Sequence, residues 1–319
     1  MGKGPGVELG HVVVLAGGLS YEREVSLRSG RRVADALRSL DVPVVLYDSD
    51  ASLLDRLAAD PPDVVFPVLH GASGEDGAVR GVLDLLPVPY VGARPDACRI
   101  AWDKPAAKSV VAAAGLATPP SIALPKEVFH DLGASAVLDR VVAALGLPLF
   151  VKPTRGGSAL GASAVHSAHE LPAAMVGCFA YGDTALIERC VEGTEIAVSV
   201  LDLPDGLRAL PPVEIAAPGR LYDYTARYEA GETEFIAPAR LSPAVTEKAT
   251  AAALTAHRAL GLRDLSRTDM IVDRAGEVHF LEVNVAPGMT ETSLLPRAVK
   301  AAGLNLGTVC RDLLLRRFP

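Results

Sequence analysis

Aromatic residues are scarce in this chain: one Trp, seven Tyr and seven Phe make up 5% of its 319 residues. Hydrophobic residues reach 50%, so the core must be built from Ala, Val and Leu rather than from stacked rings. Cysteine is equally rare. Cys98, Cys178, Cys190 and Cys310 lie far apart with no CxxC spacing, which argues against a zinc site and a disulfide framework. They read as reduced core residues of a cytosolic protein. No apolar run approaches the length of a membrane span, and the opening residues 1–8 lack the apolar stretch of a signal peptide. The expectation is a cytoplasmic chain with no membrane insertion. Positive charge is not in excess either. A net charge of −7 disfavours nucleic acid or anionic lipid as a partner. An acidic protein that holds phosphates must place individual Lys and Arg side chains at the site, so those positions matter more than the total.

What is present is an alternation of strand and helix. The first third reads as strands at 11–15, 43–47 and 63–69 with helices at 24–40 and 77–86, a βαβ rhythm that predicts a parallel sheet with helices on its faces. The rhythm breaks around 95–104, suggesting a boundary. Beyond it come helices at 105–114 and 134–145, strands at 149–152 and 162–166, a helix at 168–178 and a strand at 184–189. The remainder reads as an α+β unit: strands near 195–202 and 211–216, a polar stretch at 218–234, a helix at 243–260, a hairpin and a closing helix at 306–317. A polar stretch of that length is long for a plain connector and suits an active-site lid. A chain of this length has room for two or three domains.

The hairpin is the most informative segment. Two alternating apolar runs, 267–273 and 278–284, flank the turn-forming Arg274-Ala-Gly-Glu277. If Asp273 pairs with Val278, Asp269 faces Glu282, and the two-residue strand period puts Asn284 on the same face. Three oxygen ligands then converge, with Arg267 also on the Asp269 face. Hard oxygen donors on a rigid hairpin suit Mg²⁺ that is also held by substrate phosphates. The plainer alternative is an amphipathic hairpin with solvated carboxylates. Asn284 and the Pro287-Gly288 that follows weigh against it.

Three further motifs lie where chemistry is done. Phe150-Val-Lys152-Pro-Thr-Arg-Gly-Gly-Ser158-Ala-Leu-Gly161 is a strand, a glycine-rich turn and a returning strand, able to bring backbone N–H groups close to phosphate oxygens. It is neither a Walker loop nor a GxGxxG turn, and by itself it could be a mere tight turn. Lys152 before it, with Lys104 as a second cation, favours a nucleotide lid. Gly17-Gly-Leu-Ser-Tyr-Glu22 and His70-Gly-Ala-Ser-Gly-Glu75-Asp-Gly77 both follow strands of the parallel sheet, at the ends where α/β domains bind ligands. Glu22 could anchor an ammonium or simply favour a helix start. His70 could border the pocket or be a satisfied structural histidine. In the polar stretch, Leu221-Tyr-Asp-Tyr-Thr-Ala-Arg227-Tyr228 offers a phenol to a substrate and a guanidinium to a phosphate or carboxylate, or is a plain surface loop.

Taken in order, GG-x-S-x-E-x-E-V-S, HG-x-x-GEDG, the glycine loop, YDY-x-x-x-Y and LEVN-x-x-PGMT resemble the D-alanine–D-alanine ligases of the ATP-grasp superfamily over nearly the whole chain. The resemblance implies a mixed α/β and α+β chain. It would have a three-domain ATP-grasp fold with an N-terminal parallel-sheet domain (1–102), a central subdomain (103–189) and a C-terminal subdomain (190–319). It implies ATP gripped between the last two, near Lys104, Lys152, Gly157, Glu188, Val191, Glu195, Arg227 and Leu281. Two Mg²⁺, or Mn²⁺ in their place, would be held by Asp269, Glu282 and Asn284. Glu22, Ser158 and Tyr228 would form a hydrogen-bonded catalytic set, with Arg267 and the Gly288 N–H at the developing oxyanion. Glu22 and His70 would meet the first amino acid, and Ser293 and Leu294 the second. The implied partners are small amino acids, and a homodimer is expected.

Some positions depart from the usual family pattern. Gly156 stands where an acid is common, Ala159 where a second Ser is common, and Arg227 where a Lys is usual. Cys190 replaces a Trp or similar large residue, and Thr292 replaces a His. Arg227 keeps the charge with a larger planar group. The expected activity is ATP-dependent joining of two D-alanines for peptidoglycan precursors, which Tyr228 supports. The alternatives are a related ligase with a different acceptor and, least favoured, a non-catalytic ATP-binding protein.

Overall fold

The computed structural model describes residues 9–216 and 233–318. The first sheet is parallel, in the order β2-β1-β3, with β1 at Val12–Ala16, β2 at Val44–Asp48 and β3 at Val64–Pro67. β1 is central and buried along its whole length, so it is apolar without alternation. Helix α1 (Arg23–Arg38) buries Ser26, Ser29, Gly30, Val33, Ala34 and Leu37, one face at helical spacing. Gly30 is where α1 comes nearest the sheet: a Cβ there would lie 2.5 Å from the Ala16 Cβ. Helices α2 (Leu53–Ala59), α3 (Ala72–Glu75) and α4 (Ala78–Leu85) complete this unit. The break in rhythm near 95–104 is itself helical. α5 (Pro95–Trp102) runs into α6 (Lys104–Ala113), and α5 buries only small side chains, Ala97, Cys98 and Ala101, which leave little periodic signal.

The second sheet has the order β4-β7-β5-β6, all antiparallel, with β4 at Ser121–Pro125, β5 at Leu149–Pro153, β6 at Ser163–Val165 and β7 at Thr184–Arg189. One face packs Leu149, Val151, Ala185 and Ile187 beneath α8 (Ala134–Leu145) and α9 (Leu171–Phe179), with α7 (Lys126–Leu132) alongside. The opposite face carries Phe150, Lys152 and Glu188.

The third sheet runs β11-β10-β8-β12-β13, with β9 also paired to β8. Its strands are β8 Gly193–Leu203, β9 Gly206–Ala209, β10 Val213–Ala216, β11 Glu234–Ile236, β12 Leu265–Asp273 and β13 Val278–Asn284. Helix α10 (Pro243–Ala259) covers one face, where Ala249 and Ala253 meet Ile196, Val198, Met270 and Val272. Small Ala side chains on α10 let it lie close to the β-branched sheet surface. The alternate positions Glu195, Arg267, Asp269 and Ile271 look the other way.

The largest core does not respect sequence order. It joins Val14, Val33 and Leu37 of the first unit to Leu295, Val299, Val309 and Leu313, which lie on α11 (Leu294–Ala301) and α12 (Leu306–Leu315). Asp264, fully buried, reinforces that joint. It accepts from the Gly92 N–H at 2.7 Å and from the Arg317 guanidinium at 2.5 and 2.9 Å. Cys98, Cys178 and Cys310 are buried free thiols, as expected, but Cys190 is only half-buried and faces a cleft. Among the described residues, no helix is long and apolar enough to cross a membrane.

Candidate active site

The β12–β13 hairpin pairs Asp269 with Glu282 and Arg267 with Asn284. The expected pairing of Asp273 with Val278 is corrected, since Val278 pairs with Val272. The turn is tighter than the four-residue loop read from the sequence. Asp273 N–H donates to Glu277 O at 2.9 Å around Arg274-Ala-Gly276, with Gly276 at φ +80°. Type I turns followed by a left-handed residue close hairpins in this way. A β-bulge at the Asp269/Met270 step then restores the register that makes Asp269 face Glu282. The bulge falls at Leu281 and lets Leu281 and Glu282, neighbours in sequence, both line the same cleft.

Each carboxylate on the hairpin meets a cation. Arg267 binds Asp269 in two parallel hydrogen bonds, Nε to Oδ1 and Nη2 to Oδ2, both 2.7 Å. Lys104 Nζ lies 3.4 Å from Glu282 Oε2 and donates to Gly156 O at 2.8 Å. Asn284 Oδ1 accepts from Ala286 N–H at 2.8 Å. No group of three His, Cys, Asp or Glu side chains assembles a metal cluster among the described residues. Two carboxylates and an amide oxygen are nevertheless the donor chemistry a hard divalent cation takes when substrate phosphates complete its shell. The residues present therefore fit such an ion.

Across the cleft, Glu188 is buried between two lysines. Its Oε2 lies 2.6 Å from Lys152 Nζ, its Oε1 is bonded to Lys108 Nζ, and Lys108 also donates to Pro119 O at 2.9 Å. Burial alone would raise the Glu188 carboxyl, but Lys152 and Lys108 outweigh it and hold it below the ordinary range. Burial pulls Lys152 down, and Glu188 and Glu282 more than reverse this, so Lys152 stays a cation. Lys108 sits one helical turn after Lys104 on α6. It is a site residue that the sequence motifs do not single out, although spacing of four residues puts both lysines on one face.

The glycine-rich turn closes between these walls. Ser158 and Ala159 take left-handed backbone angles, φ +53° and +54°, a conformation non-glycine residues hold only where their surroundings over-determine it. Ser158 Oγ donates to Glu22 Oε1 at 2.5 Å, across the boundary between the first and second units. Gly157 lies close under the same carboxylate: a Cβ there would stand 2.9 Å from Glu22 Oε2, so that side chain would have to shift. Close by, Glu75 is buried and accepts from the Gly71 N–H at 2.9 Å. Burial, then the charge of Glu22, pushes its carboxyl up to about 8. Glu75 belongs to the His70–Gly77 motif, but sequence alone assigns it no role.

His70 is buried with both ring nitrogens engaged, Nδ1 with Ala286 O at 2.9 Å and Nε2 with Ser29 Oγ at 3.2 Å. Both nitrogens are thus satisfied within the protein, and the ring joins the first sheet to the loop after β13. That loop places Gly288 against Ser293: a Cβ at 288 would lie 2.7 Å from Ser293 Oγ. Ser293 Oγ also accepts from Thr290 N–H at 3.0 Å and meets Thr290 Oγ1 at 2.8 Å, while Leu294 is buried.

Of the residues expected at the nucleotide, Lys104, Lys152, Gly157, Glu188, Val191, Glu195 and Leu281 line one cleft together with Asp269 and Glu282. Glu22 and Ser158 adjoin it at Gly157, whereas His70 bonds to Ala286 and Ser29. Gly288, Ser293 and Leu294 lie beyond Asn284. Tyr228 and Arg227 fall outside the described residues.

The family description for the D-ala D-ala ligase C-terminus matches residues 110–315, and that for the N-terminus matches 51–93. The chain belongs to the D-alanine–D-alanine ligase family. A D-alanine–D-alanine ligase of Aromatoleum aromaticum is 41% identical over 314 residues, covering 98% of this chain and 97% of that protein. Among solved structures, the VanG D-Ala:D-Ser ligase from Enterococcus faecalis matches with a TM-score of 0.83 at 28% identity, covering 98% of this chain and 100% of that one. The D-alanine–D-alanine ligase from Bacillus anthracis complexed with ATP matches with a TM-score of 0.80 at 28% identity, covering 96% of each chain. These neighbours are ATP-grasp ligases, which establishes the fold class. The positions where this member of the family departs from the usual pattern divide between two places. Gly156, Ala159 and Cys190 line the cleft, whereas Thr292 sits beside Thr290 in the loop after β13, their hydroxyls 3.3 Å apart; Arg227 lies outside the described residues.

Proposed function

We propose that this chain is an ATP-dependent, ADP-forming ligase that joins two D-alanines into D-alanyl-D-alanine for peptidoglycan synthesis. The observation that carries the reading is the facing pair Asp269 and Glu282 with Asn284 beside them, opposed across one cleft by Lys104 and Lys152. In this reading residues 1–102 hold the first amino acid, and 103–189 and 190–319 grip the nucleotide. The first D-alanine presents its carboxylate to the γ-phosphorus of ATP. A carboxylate-oxygen-to-phosphorus bond forms, the bond to the β,γ-bridging oxygen breaks, and ADP leaves. Lys104, Lys152 and the backbone N–H groups of the glycine-rich turn offset the repulsion between the two anions. Asp269, Glu282 and Asn284 would hold Mg²⁺, two ions by family likeness, or Mn²⁺, which supplies further charge neutralisation at the phosphates.

Glu22, held by Ser158, takes the first ammonium. The second D-alanine, seated by Ser293 and Leu294, attacks the acyl carbon as a neutral amine. The new C–N bond forms as phosphate departs and the nitrogen loses its proton. Arg267 and the Gly288 N–H stabilise the oxygen that becomes negative on the way. Tyr228 completes the set with Ser158 and Glu22, and Arg227 adds charge at the phosphates. His70 acts on the substrate through the loop it holds. We place the enzyme in the cytoplasm as a homodimer.

A second reading, the same chemistry with a different acceptor, is favoured by Thr292 in the acceptor loop. The likeness to a D-Ala:D-Ser ligase is compatible with it. Incubation with ATP, Mg²⁺ and a panel of D- and L-amino acids, with products identified by mass, separates the two. Absence of D-alanyl-D-alanine at millimolar D-alanine would sink the first reading, and a mixed dipeptide would establish the second.

A further inference from the structure

Helix α1 belongs to the first unit, yet it reaches the loop that follows β13, more than two hundred residues later in the chain. Ser29 Oγ lies 3.1 Å from Met289 N and 3.2 Å from His70 Nε2, and Arg32 Nη1 donates to Met289 O at 3.0 Å. Proton directions in this node follow from elimination. Ala286 O can only accept, so His70 Nδ1 carries the ring proton and donates to it. Burial lowers the proton affinity of His70, so the ring is neutral and Nε2 is an acceptor. The Ser29 hydroxyl therefore donates to His70 and accepts from the Met289 N–H. The result is one continuous chain, Met289 N–H to Ser29 to His70 to Ala286 O, with Ser29 and His70 both buried.

The two ends of that chain grip the loop on either side of Pro287 and Gly288. We propose that Ser29 is a positioning residue for the second half of the reaction. It fixes the Gly288 N–H and the Thr290–Ser293 acceptor site from the far side of the domain boundary, acting through Met289 and His70. The assignment of Gly288 to the oxyanion rests on the ligase reading above, whereas the clamp itself rests only on the hydrogen bonds. A neighbouring serine supplies the control. Ser26, one turn earlier on α1 and equally buried, donates to Val68 O at 2.6 Å and accepts from Gly17 N–H at 2.9 Å. Its two bonds stay within the first unit.

The test compares Ser29→Ala with Ser26→Ala in the full chain. Amide hydrogen exchange over residues 286–291 should speed up roughly tenfold in Ser29→Ala and stay unchanged in Ser26→Ala, since local opening follows the bonds removed. Steady-state rates should show kcat for dipeptide formation down roughly tenfold in Ser29→Ala, with the KM for the second D-alanine raised and the KM for ATP unchanged. Ser29→Cys, similar in shape but a weak donor and acceptor, should fall between, and it carries the test if Ser29→Ala does not fold. Unchanged exchange over 286–291 would overturn the proposal, as would equal acceleration in Ser26→Ala or a rise in the KM for ATP matching that for the acceptor. Faster exchange in a protein whose wild type forms no dipeptide would uphold the clamp and refute the D-alanine reading.

Discussion

The β12–β13 hairpin and the loop that follows it are adjacent in sequence and built on different principles. In the hairpin, Arg267, Asp269, Glu282 and Asn284 are placed by strand pairing within one sheet, and a single bulge sets their register. In the loop, Ala286, Met289 and Ser293 owe their places to bonds from outside the sheet, three of them from His70, Ser29 and Arg32 of the first unit. The difference separates two demands. Phosphoryl transfer requires the same few oxygens and cations whatever the acceptor, so they are best held locally. In the proposed ligase, acceptor choice would depend on a site shared between units, so that a change such as Thr292 would alter the substrate without touching the hairpin.

The largest effect should come from the hairpin itself. Glu282→Gln removes one donor charge opposite Asp269, and Mg²⁺-dependent ADP release should fall by on the order of a thousandfold or more with every acceptor. Turnover near wild type would show that the hairpin is not the metal floor and would dissolve the contrast. Next is Lys108→Met, which leaves buried Glu188 with Lys152 as its one cation. Breaking a buried pair typically destabilises by about 3–5 kcal/mol. Urea unfolding should show a loss of that order, and calorimetry should show weakened ADP binding. Unchanged ADP affinity would make Lys108 purely structural.

A smaller, more selective effect is expected from Thr292→His. Rates with competing D-amino acids should shift several-fold in acceptor preference, roughly the 1 kcal/mol worth of one rearranged hydrogen bond, with the KM for ATP unmoved. A change in the KM for ATP would blur the division between hairpin and loop. The mildest test concerns Glu75. Its folded carboxyl is raised to about 8 from 4.5, so the native state binds a proton that the unfolded chain releases. That contribution is fully present below about pH 4.5 and is lost as pH rises towards 8. Glu75→Gln should therefore gain stability relative to wild type between about pH 5 and 8, by a few kcal/mol at most, since each pH unit in that window is worth about 1.4 kcal/mol. Parallel urea curves for the two proteins across that range would refute it.

Much of this arrangement is legible in the sequence. The strands read at 11–15, 43–47 and 63–69 alternate with helices and announce the parallel sheet, and Asp269 does face Glu282 as the assumed register has it. Strand period reaches that pairing through a uniform register and a four-residue loop. The true loop is one residue shorter, and the bulge at Leu281 makes up the difference. Such compensation leaves no periodic trace, because both runs still alternate. α5 and β4 escape for a different reason: α5 buries only small side chains, and β4 is a five-residue strand with no buried position, ending in proline. His70 and Ser29 are illegible as partners, since nothing local relates residue 29 to residue 289.

Residue type and local spacing carry the chemical inventory: oxygen donors on a hairpin, two lysines ahead of a glycine-rich turn, and a glutamate after the first strand. Local periodicity and residue type suffice for that, because strand period and turn chemistry act over a few residues. Which groups meet is a matter of the packed fold. Glu188 lies between Lys152 and Lys108, Ser158 bonds to Glu22, and α1 bonds to the loop after β13. The reach of α1 to that loop rests on the shared core that packs α1 against α12, a non-local burial of apolar surface that no short stretch of sequence encodes.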